Sequence, residues 1–148
     1  MAQEKQSQDN TDMLEAVVEN TEMGKNTLDQ MIPMTQDSRF RAELLREKNE
    51  FHALNSEAHL CLSACGQQAK GQSAMAKLNT KMGIGMKTLA DKSTRNLAQM
   101  LIEGSNQGVM DCIKCQRDCP QATPGAKRLM QRLQDMEQDN MARLEAFL

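Results

Sequence analysis

The sequence predicts an all-α protein, a four-helix bundle. Four stretches of the chain carry apolar residues at alternating spacings of three and four, which places them on one face of an α-helix. No stretch alternates apolar and polar residues with the period of two typical of a strand, and β-branched residues are few. The sequence contains thirteen methionines and three phenylalanines, so we expect a core rich in flexible side chains that can fill irregular gaps between helices.

The 148 residues are enough for one domain with a sizeable core. Residues 1–11 are polar, and we expect them to form a disordered tail ahead of a single helical-bundle domain over 12–148. Asp12 and Glu15 resemble a capping box, in which side chains satisfy the free N–H groups at a helix start. The first helix is therefore expected to begin there and to close near Pro33.

The second helix is expected to begin at Asp37 or Ser38 and to end at Gly66. The residues of its stripe are Phe40, Leu44, Glu47, Phe51, Leu54, Ala58, Cys61 and Cys65. The linker to the third helix is expected to contain a short extra helical piece over 73–82.

The third helix is expected over about 86–118, and Thr123 followed by Pro124 is a strong start signal for the last. The stripe of the third helix is Leu97, Leu101, Gly104, Gly108, Cys112, Cys115 and Cys119, and that of the fourth is Met130, Leu133, Glu137, Met141, Leu144 and Leu148. The small residues Gly104 and Gly108 predict either close helix packing within the bundle or a contact between two copies of the chain.

The segment CIKCQRDCP, residues 112–120, has the spacing of the last three cysteines and the proline of an iron–sulfur cluster run. Val109 stands where the first cysteine of that run belongs. On a regular helix, Cys112 and Cys119 are about 10.5 Å apart along the axis, too far for one zinc ion with bonds of about 2.3 Å. Core packing is therefore favoured over a metal, cluster or redox role, and no iron–sulfur cluster is expected. Whether all five cysteines gather at one end depends on the helix directions, which stay open.

The bulk composition excludes several function classes. The net charge of −2 and pI near 5.7 argue against a nucleic-acid-binding surface or a basic membrane face. No apolar run approaches the roughly 20 residues that span a bilayer, and the amino terminus lacks the apolar core of a signal peptide. We therefore expect a cytoplasmic protein with reduced thiols.

Glutamates within the apolar stripes are the candidate site residues. Glu47 and Glu137 interrupt their stripes, and a buried carboxylate is costly unless it is paired or bound to a metal. Pairing with Lys or Arg, or a boundary position, is the favoured interpretation of both. The alternative is a carboxylate site for iron or another divalent metal, although the chain contains no Glu-x-x-His. Its candidate ligands are Glu22, Glu47, Glu103 and Glu137.

Three segments of the sequence carry a resemblance to a known family: MLEAVVENTEMGKNTLDQMI, FRAELLREKNEF and MKTLADKSTRNLAQMLIEGSNQG. Over residues 13–148 the chain resembles bacterial ferritin-like four-helix proteins, which implies a ferritin-like or plain up-down bundle. The resemblance carries over no iron ligands, because the matching histidine positions are absent. We expect a non-enzymatic bundle without a cofactor that acts through self-association, as a homodimer, or through protein binding. The alternative is a ferritin-like metal-binding protein with the carboxylate site in its core.

Overall fold

The computed structural model describes residues 1–66 and 89–148, and within those ranges it contains four α-helices and no strand. The predicted all-α four-helix fold is therefore confirmed. The helices are α1 (Ala2–Met31), α2 (Ser38–Ala64), α3 (Thr94–Asp118) and α4 (Pro124–Leu144), and short 3-10 helices over Ile32–Met34 and Glu145–Phe147 follow α1 and α4. The helical piece expected over 73–82 lies outside the described residues.

None of the helices in the described ranges has the length and apolar character needed to cross a membrane.

Most helix ends lie where their capping residues predict. The Asp37 carboxylate accepts hydrogen bonds from two N–H groups in the first turn of α2, and the Thr123 hydroxyl accepts one at the start of α4. Gly66, which follows α2, has a φ of +73°, a conformation that glycine adopts without steric cost. The described start of α3 is later than the predicted residue 86, because the Ser93 side chain caps a helix that begins at Thr94.

The amino-terminal segment differs from the prediction. Helix α1 begins at Ala2 and continues through Asp12, so residues 1–11 are not a disordered tail and Asp12 is not a helix cap. The reason is tertiary contact, because Asp9 and Asn10 are buried, with 2% and 7% of their surfaces exposed. The polar composition of residues 1–11 predicts a solvent-exposed segment, but these residues belong to the first turns of a helix that packs against the rest of the protein.

These two side chains satisfy N–H groups in the loop between α3 and α4. The Asp9 carboxylate accepts from the backbone N–H of Gln121 at 2.9 Å, and Asn10 Oδ1 accepts from the Thr123 hydroxyl at 2.6 Å. The other end of the Asn10 amide donates to Cys65 Sγ at 3.5 Å. The start of α1, the end of α2 and the α3–α4 loop therefore meet at one end of the bundle.

This meeting fixes the helix directions. Helices α1 and α4 both start at that end and run parallel, while α2 and α3 both finish there and run the opposite way. The carboxyl-terminal ends of α2 and α3, which carry the five cysteines, thus lie at the same end of the bundle, the arrangement that the sequence left open. At the far end, the rings of Phe40 and Phe147 pack with their centroids 5.1 Å apart.

Helix α1 packs against all three other helices, and α3 and α4 form a close antiparallel pair. The predicted stripes supply most of the buried core, but Gly104 and Leu148 are exposed and Cys61 and Cys115 are only partly buried. Cys65 is exposed at the end of α2. On α4, Asn140 is fully buried at 0% exposure, whereas Met141, which the stripe predicts, is only partly buried.

Candidate functional site

A cavity of about 170 Å³ lies between the helices in the half of the bundle away from the cysteines. All four helices contribute to its wall, and most of that wall is apolar, with Leu28, Phe51 and Leu101 at its inner side. Gly104 and Gln107 on α3 line it and are exposed, so the cavity opens to solvent along α3. Two carboxyl side chains also line this apolar space.

The first is Glu47 of α2, which is 2% exposed. Its Oε2 atom has no hydrogen-bond partner among the residues that the structure describes. Burial raises the pKa of Glu47 to about 8, and the negative charges of Glu43 and Glu137 add to the shift against the opposing charge of Arg46. Glu47 is therefore largely protonated at neutral pH, and the basic partner predicted for it is not the arrangement found.

The second is Glu137 of α4, which is 3% exposed. Burial raises its pKa to about 8 with help from the charge of Asp111, and a hydrogen bond with the Ser105 side chain partly offsets this. The carboxyl group reaches the backbone of α3 at Gly108, where an added Cβ would lie 1.7 Å from Glu137 Oε2. Gly108 is thus needed for close approach, as predicted, but of a side chain rather than of a second helix backbone.

Arg46, the neighbour of Glu47 in sequence, forms its hydrogen bonds and ion pairs with residues other than Glu47. Arg46 contacts the carboxylates of Glu43, at 2.7 Å, and Glu50, and it donates to Asn140 Oδ1 at 2.9 Å. Burial raises the pKa of Glu43, but hydrogen bonds from Arg46 and Arg143 outweigh it and hold that pKa below its ordinary value. The cluster ties α2 to α4 beside the cavity and leaves the carboxyl of Glu47 facing apolar wall.

The cavity can act chemically in two ways. A protonated carboxyl with a pKa near 8 can donate a hydrogen bond or a proton to a molecule in the cavity. If a cation enters, the same groups can lose their protons and become two negative charges at one cavity. Both kinds of chemistry require a ligand that fits the apolar cavity.

Of the four predicted metal ligands, the structure brings together Glu47 and Glu137. Glu22 is instead partly exposed beside His59, with 3.3 Å between Oε1 and the ring Nε2. Glu103 is exposed and accepts a hydrogen bond from the Gln99 amide at 3.1 Å. Across residues 1–66 and 89–148, no group of three or more His, Cys, Asp or Glu is placed to hold a metal ion. The four-carboxylate centre stays a prediction, and of its members Glu47 and Glu137 line the cavity whereas Glu22 and Glu103 do not.

Cys112 and Cys115 lie on α3, as the packing interpretation predicts, and Cys119 directly follows the end of that helix. Cys112 and Cys119 are buried and Cys115 is half-buried. Burial raises the pKa values of Cys112 and Cys115 to about 12, so these thiols keep their protons at neutral pH. The expectation that no iron–sulfur cluster binds there stays a prediction.

Two buried polar residues were not identified from the sequence as site residues: Ser105, which forms a hydrogen bond with Glu137, and Asn140, which accepts a hydrogen bond from Arg46. Asn140 stands seven positions after Leu133, so it continues the core stripe of α4. That spacing could have identified Asn140 as buried. Met141 was assigned to the core instead, because apolar residues are buried more often than asparagine.

Comparison of the chain with protein-family models, with curated proteins and with solved structures finds no match. The cavity and its carboxyl groups are therefore the features from which a function can be inferred.

Proposed function

We propose that this protein is a non-enzymatic binding protein that holds a small molecule in the cavity between its helices. One observation carries the proposal: an apolar interhelical cavity open to solvent is lined by two buried carboxyl groups, and Glu47 Oε2 has no partner within the described ranges. Ligand sites in proteins combine mostly apolar walls with a few placed polar groups in this way.

The cavity size limits the ligand. An engineered protein cavity of about 150 Å³ binds benzene, and the cavity here has about 170 Å³. It therefore fits a ring or a short branched chain, and a larger ligand would extend through the opening at Gly104.

A packing defect without function is the competing explanation. It accounts poorly for two carboxyl groups at the cavity, since a buried polar atom without a partner costs free energy of folding, on the order of 1–3 kcal/mol. A bound molecule would supply that partner.

Nuclear magnetic resonance of methionine methyl groups tests the proposal, because Met23 and Met100 line the cavity. With toluene as the probe, we expect both methyl signals to shift in a saturable manner. Gly104→Phe should abolish the shifts, since a Cβ at Gly104 has no heavy atom within 4 Å in the described structure and a ring there can fill the opening.

The matched control is Asn106→Phe, which adds the same ring at an exposed position of α3 that does not line the cavity. It should leave the shifts unchanged. Absence of any shift in the parent protein at millimolar toluene, or equal shifts in Gly104→Phe, would count against a binding cavity.

Self-association, predicted from the sequence, is a second proposal with its own support. Met110 and Ile113 lie exposed on α3, with 41% and 37% of their surfaces accessible. They are less than one helical turn apart, so they present one apolar area to solvent. A second copy of the chain is the partner proposed for it.

A further inference from the structure

We propose that the ligand is a small organic amine whose ammonium group lies between the carboxyl groups of Glu47 and Glu137 and whose apolar body fills the cavity. This inference rests on the binding function proposed above and names the chemical class of its ligand. Its first support is position: the two carboxyl groups come from α2 and α4 and line the same cavity.

The second support is the unused acceptor. Glu47 is 2% exposed, and its Oε2 makes no hydrogen bond within residues 1–66 and 89–148. An ammonium group carries three N–H donors and no acceptor, so it can bond to both carboxylates at once. An uncharged apolar ligand would leave Glu47 Oε2 without a partner, and a carboxylate or phosphate ligand would be repelled by both carboxyl groups once they lose their protons.

The charges around the cavity favour a cation. On α2, Glu43 and Glu50 flank Glu47, and on α3, Asp111 lies near Glu137. The nearby positive group, Arg46, is held by Glu43, Glu50 and Asn140 outside the cavity. A cation in the cavity therefore gains attraction from two carboxylates whose mutual repulsion it removes.

A metal ion fits the same charges less well. Calcium takes six to eight oxygen ligands and zinc in a structural site takes four, whereas the described residues place two carboxyl groups at the cavity without a third titratable ligand. The apolar wall is also unsuited to a small hydrated ion, and it suits a hydrocarbon body.

Binding of an amine should depend on pH. The carboxyl groups are largely protonated at pH 6, so an arriving ammonium group must expel protons before it can pair with carboxylates. The apparent affinity should then rise with pH up to about pH 8.5, by up to about tenfold per unit for each proton released. A neutral ligand of the same shape should show little dependence.

Calorimetric titration with benzylamine, benzyl alcohol and toluene separates these possibilities. At pH 8.5 we expect benzylamine to bind at least about tenfold more tightly than benzyl alcohol, and to lose most of that advantage at pH 6. Glu47→Gln and Glu137→Gln should each reduce the preference for the amine while toluene still binds. Glu103→Gln, at an exposed position of α3, is the control and should behave as the parent.

The outcomes distinguish the two proposals. If toluene binds and benzylamine has no advantage at pH 8.5, the amine inference is wrong and the binding cavity stands. If none of the three probes binds, both proposals are wrong. Titration with Mn²⁺ alone gives a further arm, in which stoichiometric binding that either glutamine variant abolishes would overturn the amine assignment in favour of a metal.

Discussion

At the residue scale, Glu47 combines a core position with a carboxyl group that the core does not satisfy. Replacing it with methionine, a side chain of similar length, should raise the free energy of unfolding by about 1–3 kcal/mol at pH 8. The reason is that the variant no longer buries an oxygen, Oε2, that has no partner in the described structure. Urea denaturation of parent and variant, with and without a chelator, measures this.

The control for that experiment is Glu103→Met, because Glu103 is exposed on α3 and its replacement should change stability by less than about 0.5 kcal/mol. A Glu47→Met protein less stable than the parent, together with a parent that loses stability in chelator, would show that the carboxylate serves a metal site.

Residue patterns predicted which carboxylates enter the core but not what surrounds them. Glu47 and Glu137 were identified because each interrupts an apolar stripe, a local signal that burial bears out. Glu22 and Glu103 were grouped with them, but each has a neighbour, His59 or Gln99, that holds it at the surface. The Glu22–His59 contact joins α1 to α2, and helix spacing alone does not state which helices face each other. The Gln99–Glu103 pair lies four residues apart on α3, so that contact could have been predicted from the spacing.

At the element scale, two glycines with the same helix propensity should respond oppositely to alanine. A Cβ at Gly24 would lie 2.7–2.8 Å from three atoms of the buried Phe51 ring, so Gly24→Ala should destabilise the protein by about 1–3 kcal/mol. At Gly104 no heavy atom of the described chain lies within 4 Å of the added Cβ. Gly104→Ala should therefore stabilise α3 by about 0.5–1 kcal/mol.

Thermal or urea unfolding of both variants checks this pair, with circular dichroism to confirm that each remains helical. If both variants were stabilised, the close contact between Gly24 and Phe51 would be contradicted, and if both were destabilised, the open space at Gly104 would be contradicted.

The start of α1 depends on Asn10. Asn10→Ala removes the acceptor for the Thr123 hydroxyl and the donor to Cys65, and it should cost about 1–2 kcal/mol of stability. Amide hydrogen exchange over residues 5–12 should speed up more than exchange elsewhere in α1. Gln8→Ala, on the exposed face of the same helix, is the control. Equal exchange in the two variants would contradict a holding role for Asn10.

Helix ends were predictable where the capping group is a neighbour in sequence, as at Asp37 and Thr123. The beginning of α1 was not, because Asn10 and its partner Thr123 are separated by 113 positions in the chain. The polar start of α1 is helical because its side chains form hydrogen bonds with the loop between α3 and α4. A contact between such distant segments produces no recognisable pattern in the local sequence.

At the scale of the whole molecule, stability should fall as the pH rises from about 5 to about 8.5. The pKa of Glu47 and of Glu137 is about 8 in the folded protein against an ordinary value of 4.5, so between those values the folded state binds more protons than the unfolded state. Their stabilising effect is complete below pH 4.5 and is lost as the pH rises through about 8.

Glu43 acts in the opposite sense, since its pKa is lowered, but its contribution is lost only as the pH falls into the acid range. Melting temperatures measured from pH 5.5 to pH 8.5 should therefore decline, and the doubly substituted Glu47→Gln, Glu137→Gln protein should show a flatter profile. A parent whose melting temperature rises over that interval would contradict the protonated pair.

The homodimer stays a prediction at this scale. Light scattering at micromolar concentration should give about twice the chain mass of 16.6 kDa, and Ile113→Lys should reduce it to the single-chain value. Leu60→Lys, at an exposed apolar residue of α2, is the matched control and should leave the dimer intact. A clean particle of 16.6 kDa for the parent would remove the proposal.

The pairing of helices has a consequence for folding kinetics. Helices α1 and α2 form one hairpin, and α3 and α4, which are separated by a short loop, form another. The hydrogen bond between Asn10 and Thr123 joins the two hairpins across 113 positions of the sequence. Contacts between sequence neighbours form faster than contacts between distant segments, so we expect the hairpins to form before they dock. Glu47 and Glu137 sit on different hairpins, so docking is the step at which both lose their water. Folding should therefore slow above pH 8, where each carboxyl must first take up a proton or enter the core charged.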